Sequence, residues 1–291
     1  MQLPRRRKPE FDDSRVYEYP EHLRSSLDAM PNSPGVYVFH GRDGDLPLYI
    51  GKSVNLRSRI LSHLRNPDEA RLLRQTTRIT FTRTAGDIGA LLLEAQMIKQ
   101  QHPLFNQKLR RNRQLCSLRI TEAGLPEVVY SKDIDFAVEP NLYGLYGSRT
   151  SALQGLRDLA DEHRLCYRAL GLEKLASGRG CFRSMLKQCA GVCCGREATE
   201  AHHARLLAAL DSVRVNCWPY PGAIGLVERL DDAERMTQIH VIRNWCYLGS
   251  VEHVEQAKAL SSVVAGFDAD GYKILCQPIL GQQAEIVPLH P

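Results

Sequence analysis

Apolar positions in the first third of the chain follow two rhythms, a period of two and a period near 3.6. Gly35-Val36-Tyr37 and Leu48-Tyr49-Ile50-Gly51-Lys52 read as strands. Gly41-Arg42-Asp43-Gly44-Asp45 between them is rich in turn formers, so the two strands predict a β-hairpin. From Ser53 to Arg65 the apolar residues Leu56, Ile60, Leu61 and Leu64 fit a helix with one buried face. Asn66-Pro67 ends it, because proline pushes the residue before it out of the helical region. A short helix then runs through Leu73. Ile79-Thr80-Phe81-Thr82 reads as a third strand, and Ile88 to Gln101 as a strong helix stopped at His102-Pro103. With a short helix over residues 25–30 and the breaker Pro31-Asn32-Ser33-Pro34 ahead of it, the segment 31–107 spells β, β, α, α, β, α. That order predicts a compact α+β unit.

The pattern thins further along. Leu118-Arg119-Ile120 and Val128-Val129-Tyr130 read as short strands, and residues 151–163 and Glu197 to Val213 as helices. The last eighty or so residues carry apolar runs, Gln238 to Ile242 and Tyr272 to Leu275 among them, and suggest a small α+β domain. The reading divides the chain into a flexible arm (1–24), a first domain (25–110) with a small, mainly antiparallel sheet and flanking helices, a connector with a helical cysteine-rich segment (111–213), and a C-terminal α+β domain without an assigned role (214–291).

Composition narrows the class. The chain has 291 residues, 43% of them hydrophobic, which is room for more than one packed core. No run of apolar residues reaches transmembrane length, and the basic start Met1-Gln2-Leu3-Pro4-Arg5-Arg6-Arg7-Lys8 has no apolar segment behind it. A cytoplasmic protein is expected. The net charge of +5 is mild, but its distribution is uneven. Arg5-Arg6-Arg7-Lys8, Lys108-Leu109-Arg110-Arg111-Asn112-Arg113 and the residues Lys52, Arg57, Arg59, Arg65, Arg71, Arg74, Arg78 and Arg83 make the first half basic, which suits contact with a phosphate backbone.

The hairpin and its helices gather an unusual polar set. Tyr37 and Tyr49 lie on neighbouring strands. Lys52 is three residues from Tyr49, so an unbroken strand would turn it to the other face, and Gly51 offers a bend that relaxes this. Arg59 and His63 share a helix face, and Asn55 can join them. Glu94 stands in the apolar run Ala90-Leu91-Leu92-Leu93-Glu94-Ala95, where a carboxylate needs a partner such as a divalent metal. Each residue alone has a plainer role, packing for the tyrosines and solvated charge for Lys52 and Arg59. Together they hold what phosphodiester hydrolysis needs: a base for water, positive charge for phosphate oxygens, and help for the leaving oxygen.

The nine cysteines are an odd number in a chain with no secretory signal, which argues against a disulfide framework. Five fall between positions 166 and 194. Cys181, Cys189 and Cys193 follow an x7, x3 spacing, with Cys166 upstream. Four thiolates can close a tetrahedral zinc site or hold an iron–sulfur cluster. Cys194 is a rival or spare ligand. Cys116, Cys217, Cys246 and Cys276 look solitary.

Gly35-Val36-Tyr37 and Tyr49-Ile50-Gly51-Lys52 resemble the two signature elements of the GIY-YIG nucleases. Arg59 and Glu94 are similar in position to that family's helix arginine and metal-binding glutamate, and Asn106, after Pro103-Leu104-Phe105, resembles its late asparagine. UvrC-type excinucleases commonly have tyrosine where His63 stands, and histidine there resembles the restriction-enzyme branch. The resemblance therefore implies Tyr37 as general base with His63 as assistant or rival. It implies Glu94 as ligand of Mg²⁺ or Mn²⁺, and Tyr49, Lys52 and Asn106 as orienting or charge-stabilising groups. The cysteine spacing resembles the cysteine region of the UvrC excinucleases, which implies a [4Fe–4S] cluster on Cys166, Cys181, Cys189 and Cys193, with zinc as the alternative. Similarity extends over about residues 31–210 and includes Asn141-Leu142-Tyr143-Gly144-Leu145-Tyr146. The chain has no room for the second nuclease domain or helix-hairpin-helix modules of UvrC. It thus resembles the Cho-type, single-nuclease homologues. The implied function is a repair endonuclease that nicks damaged double-stranded DNA on the 3′ side of a lesion presented by excinuclease subunits A and B. A loader-independent, structure-specific or restriction-type nuclease and a non-catalytic DNA-binding module are the alternatives.

Overall fold

The computed structural model describes residues 17–42, 47–106, 115–174, 180–231, 235–263 and 266–289. The two short basic clusters at 5–8 and 108–113, residues 1–16 of the expected arm, and Asp43 to Asp45 of the hairpin turn lie outside the described residues. Three small antiparallel sheets, each backed by helices, follow one another along the chain.

The first sheet has the order β2-β1-β3, from β1 (Gly35–His40), β2 (Pro47–Ser53) and β3 (Arg78–Arg83). Alternation sends Tyr37 and Phe39 to one face. There they pack on α1 (Arg24–Asp28), α2 (Leu56–Leu64) and α3 (Ala70–Gln75) through Leu27, Leu56, Ile60, Leu64, Leu72 and Leu73. Val36, Val38 and Ile50 face the other way, onto Leu93, Met97 and Ile98 of α4 (Asp87–Gln101). Part of the expected arm is structured. Leu23 is fully buried in the first core, and Tyr17 donates its hydroxyl hydrogen to the Leu64 carbonyl.

The middle sheet has the order β5-β4-β6, from β4 (Cys116–Ile120), β5 (Pro126–Tyr130) and β6 (Leu142–Tyr146). It packs on α5 (Arg149–Glu162) and α7 (Thr199–Asp211), whose Ala152, Leu156, Ala160, Leu206 and Leu210 recur at helical spacing. Between those helices lies the cysteine segment, with the four-residue α6 (Phe182–Met185).

The last sheet has the order β10-β7-β8-β9, from β7 (Ile224–Leu230), β8 (Met236–Arg243), β9 (Cys246–Val251) and β10 (Glu285–Pro288). α8 (Val254–Ser261) covers the face bearing Val227, Ile239 and Val241. α9 (Ala269–Leu280) covers the other face, where Leu226, Ile242 and Trp245 meet Tyr272, Leu275 and Ile279. The run Tyr272 to Leu275 is therefore helix. Leu92 and Ile88 of α4 belong to this same C-terminal core. One helix is thus shared between the first and last domains. Among the described residues no helix is long and apolar enough to cross a membrane.

Candidate active site

Tyr37 pairs with Gly51 across the hairpin, and Phe39 with Tyr49, so both tyrosines face α2. A Cβ on Gly51 would stand 2.4 Å from the Tyr37 hydroxyl oxygen and 2.9 Å from the Tyr49 ring. Glycine is required there because the Tyr37 ring lies across it. The strand does not bend at Gly51: β2 runs unbroken from Pro47 to Ser53. That corrects the expected break, and Lys52 sits on the face opposite Tyr49. There its Nζ donates to Asp87 Oδ1 at 2.7 Å, in the first turn of α4.

His63 is 3% exposed and caged by the rings of Tyr37, Phe39 and Tyr49, with centroids 5.3 to 5.7 Å away. Its Nε2 is 2.6 Å from the Tyr37 hydroxyl. Its Nδ1 meets the Glu69 carboxylate, which also accepts from Asn66 Nδ2 at 3.1 Å. Burial pulls Glu69 upward, but the hydrogen bond and charge of His63, with Asn66 and Arg59, together outweigh it and leave the carboxyl below its ordinary value. An ionised Glu69 fixes the proton on Nδ1 and leaves Nε2 to accept from Tyr37. Arg59 Nε donates to the same hydroxyl at 3.4 Å. Tyr37 is only 1% exposed, and burial raises its pKa well above 10 despite Arg59. Tyr49, less deeply buried, is also raised, chiefly by burial and then by Glu94. Both phenols rest neutral.

Glu94 projects from the middle of α4, half-buried. Burial pushes its carboxyl up, and the charge and backbone N–H of Lys52 only partly restore it. An under-solvated carboxylate fits a divalent cation, which would supply the missing stabilisation. Asn106 does something the sequence did not suggest. Its Oδ1 accepts from Ile50 N at 2.9 Å and its Nδ2 donates to Ile50 O at 2.8 Å. Leu104 N and Phe105 N donate to the Pro47 and Leu48 carbonyls. Residues 104–106 thus strap the open edge of β2. Asn55 does not join Arg59 and His63: its Oδ1 accepts from Ser58 N at 2.9 Å and caps α2. Glu69 was missed. It lies across the Asn66-Pro67 break, where no periodicity marks it.

The four sulfurs of Cys166, Cys181, Cys189 and Cys193 all lie within 4.8 Å of one another, three of the residues buried. Burial pushes the Cys166 and Cys181 thiols up to about 11, the cost of an uncompensated thiolate. Cys194 stays outside, exposed, with its sulfur 3.3 Å from Ser184 Oγ. All nine cysteines are free.

Comparison with known proteins follows the same three parts. The family model for the UvrC-like GIY-YIG domain matches residues 33–107. The UvrC/Cho excinuclease middle domain matches 115–212, and the excinuclease Cho C-terminal domain matches 223–291. Excinuclease cho of Escherichia coli K12 is 57% identical over 282 residues, 97% of this chain and 94% of that one. Excinuclease cho of Salmonella typhimurium LT2 is 57% identical over 281 residues, with the same coverage. UvrABC system protein C of Caldicellulosiruptor saccharolyticus is 30% identical over 179 residues, 60% of this chain and 30% of that one. Among solved structures, the magnesium-bound GIY-YIG N-terminal endonuclease domain of UvrC from Thermotoga maritima aligns at 28% identity. It covers 31% of this chain and 99% of that one, with a TM-score of 0.27. The sheet order, the hairpin site and near full-length identity to the Cho proteins meet in one conclusion: the chain belongs to the excinuclease Cho family, whose first domain is a GIY-YIG endonuclease.

Proposed function

We propose that this excinuclease nicks the damaged strand on the 3′ side of a lesion, in double-stranded DNA presented by excinuclease subunits A and B in the cytoplasm. The observation that carries the chemistry is the chain Tyr37, His63, Glu69. Water loses its proton towards the Tyr37 hydroxyl as that hydroxyl gives its own to His63 Nε2, 2.6 Å away. The new imidazolium is matched by the Glu69 carboxylate, by the logic of a serine-protease triad with a phenol in the nucleophile's place. Tyr37 and His63, left as rivals by sequence, act in series in this scheme. Because Tyr37 is 1% exposed, the water it serves is one bound at the site, not bulk solvent. Arg59 spreads its charge over the hydroxyl and the phosphate, and Lys52 stays oriented by Asp87. A divalent cation held by Glu94, Mg²⁺ or Mn²⁺, supplies Lewis-acid charge for the phosphate and the leaving oxygen. Asn106 acts through β2, by keeping Tyr49-Ile50-Gly51 straight. Beside α2, Arg24, Arg57 and Arg65 line an open groove of about 490 Å³, with Glu21 and Asp28 at its wall, and offer phosphate contacts.

The test is nicking of a lesion-bearing duplex with and without subunits A and B, by the wild type, Tyr37→Phe and Glu94→Ala. Loader-dependent nicking lost in both variants supports the proposal, and wild-type-like nicking by both removes the mechanism. A second reading is favoured by His63, which a restriction-type nuclease would also carry. Cleavage of undamaged or branched DNA without loaders would establish it.

For the cysteine segment we propose a [4Fe–4S] cluster on Cys166, Cys181, Cys189 and Cys193, on the strength of its resemblance to the cysteine region of the UvrC excinucleases. Zinc is the second reading, favoured by the tight packing of the sulfurs: one tetrahedral ion with bonds of about 2.3 Å suits neighbours within 4.8 Å. Anaerobically purified protein that is brown and contains iron and sulfide supports the cluster. Colourless protein with stoichiometric zinc establishes the alternative.

A further inference from the structure

The C-terminal sheet presents three polar residues on the face that meets α4, at positions where alternation would place apolar side chains. β7 sends Ile224, Leu226 and Glu228 to that face, and β8 sends Gln238, His240 and Ile242. Glu228 is paired with Gln238, and Leu226 with His240. Glu228 reaches the start of α4, where its two carboxylate oxygens accept from Ile88 N at 3.0 Å and Gly89 N at 2.7 Å. Gln238 Oε1 accepts from Ala85 N at 2.9 Å. His240, fully buried, meets Glu228 through Nε2 at 2.9 Å and Ser250 Oγ through Nδ1 at 2.7 Å. Tyr247 closes the chain on Ser250 at 2.6 Å.

These contacts replace something α4 lacks. Its N-cap residue is Gly86, with no side chain to satisfy the first free N–H groups. The cap comes instead from about 140 residues away in the chain. The glycines nearby are shaped for it. Gly86 is extended, with φ −166°, so its backbone does not require glycine. A Cβ there, however, would stand 2.2 Å from a Glu228 oxygen. A Cβ on Gly89 would stand 2.5 Å from the His240 ring. Glycine inside a helix weakens it, so Gly89 in the first turn of α4 needs a reason, and the Glu228–His240 pair is that reason. The pairing favours a charged Glu228: His240 and the two N–H groups overcome burial and hold its carboxyl below the ordinary value.

The far end of α4 is held from the same domain. Lys99 pairs with Asp268 at 2.6 Å and Asp270 at 2.9 Å, at the start of α9. Next to the first tie α4 carries Asp87, which orients Lys52, and between the two ties it carries Glu94. We propose that Glu228, braced by His240, is a positioning residue for the nuclease reaction: by capping α4 from the C-terminal domain it fixes Glu94 and the Asp87–Lys52 pair relative to Tyr37. The C-terminal domain is then part of the nuclease, not an appendage. This rests on Glu94 as the metal ligand.

The test uses the full chain. Mn²⁺ binding is followed by electron paramagnetic resonance without DNA, and nicking rate and DNA affinity are measured separately. Glu228→Ala should weaken Mn²⁺ binding and slow nicking about tenfold or more, with DNA affinity unchanged. Glu228→Gln keeps an oxygen acceptor and should recover part of both. Gly89→Ala keeps the Glu228 carboxylate but crowds both it and the His240 ring, and should reproduce the loss if Glu228→Ala does not fold. Folded variants that bind Mn²⁺ and nick as the wild type does overturn the proposal. Glu94→Ala in the same titration separates the two readings. Its loss of Mn²⁺ with wild-type behaviour of the cap variants sinks only the positioning role. Wild-type Mn²⁺ binding by Glu94→Ala sinks the ligand assignment instead.

Discussion

Among the described residues two buried histidines each pair with a glutamate, one in the first domain and one in the last. His63 and His240 are 3% and 0% exposed, and each holds a carboxylate below its ordinary value. Their remaining partners differ. The second nitrogen of His63 faces a phenol, and its Glu69 also accepts from the Asn66 side chain. The second nitrogen of His240 is tied to Ser250, and Glu228 is committed to two backbone N–H groups of α4. The first pair ends on a hydroxyl that, in the proposed mechanism, passes a proton from the reacting centre. The second is engaged with the backbone and a serine, so it can only hold position. Under the proposed mechanism the same two residue types serve chemistry in one place and architecture in the other, and what separates them is the third group in contact.

The comparison breaks most visibly at Glu94, the proposed metal ligand, which neither pair can replace. Glu94→Gln should reduce nicking by about a thousandfold or more, since loss of metal charge removes several kcal/mol of transition-state stabilisation. Its melting temperature should rise in metal-free buffer, because the ionised Glu94 is under-solvated and its raised pKa marks a carboxylate that disfavours the folded state at neutral pH. A fall in both quantities would show a structural role instead.

Next comes the contrast between the pairs. His63→Ala should slow the chemical step by about a hundredfold to ten-thousandfold, the usual range for a general base, with DNA affinity unchanged. His240→Ala should cost rate only in proportion to the disturbance of α4, about tenfold. Equal losses in single-turnover assays would erase the distinction. Gly51→Ala tests the packing behind the first pair. A methyl 2.4 Å from the Tyr37 oxygen displaces the phenol from His63, and a loss of rate of about a hundredfold is expected.

The smallest effects are in stability. Glu69 and Glu228 are both depressed below their ordinary 4.5. Their contribution is complete above that value and is lost as pH falls through the folded values. Melting temperature should therefore drop as pH falls below about 4.5. Glu69→Gln and Glu228→Gln should each flatten part of that slope. An unchanged acid limb in both would show that neither pair is ionised in the fold. Asn106→Ala should cost about 1–3 kcal/mol, because two backbone groups at the β2 edge are left unpaired, read as a lower denaturant midpoint.

Much of the first domain was legible because its elements are marked locally. The hairpin, α2 and α4 follow period-two and period-3.6 patterns, and their ends carry glycine, proline or asparagine. Tyr37, Tyr49, Arg59, His63 and Glu94 could be named because a hairpin and helix faces place side chains by simple rules. The four cysteines could be named from spacing. Lys52 went to the opposite face because the strand stayed straight, and Asn55 was taken up as a cap. The first outcome is the plain period-two result once the strand is straight; the second depends on which backbone donor the neighbouring turn offers, and spacing does not show that. The C-terminal run Tyr272 to Leu275 is too short for its period to show, and only its packing on the sheet makes it helix.

By itself the sequence determined the local elements, the family and the residue types gathered at the hairpin, because each is written in short-range pattern. Tertiary structure alone decided that Glu69 orients His63, that Asn106 straps a strand edge, and that Glu228 caps a helix about 140 residues before it. A carboxylate or an amide can satisfy any donor within reach, so which one it meets is settled by how the layers pack. Two glycines at the start of α4 are the one trace the sequence keeps of that choice, and they acquire meaning only when the C-terminal sheet is laid against them.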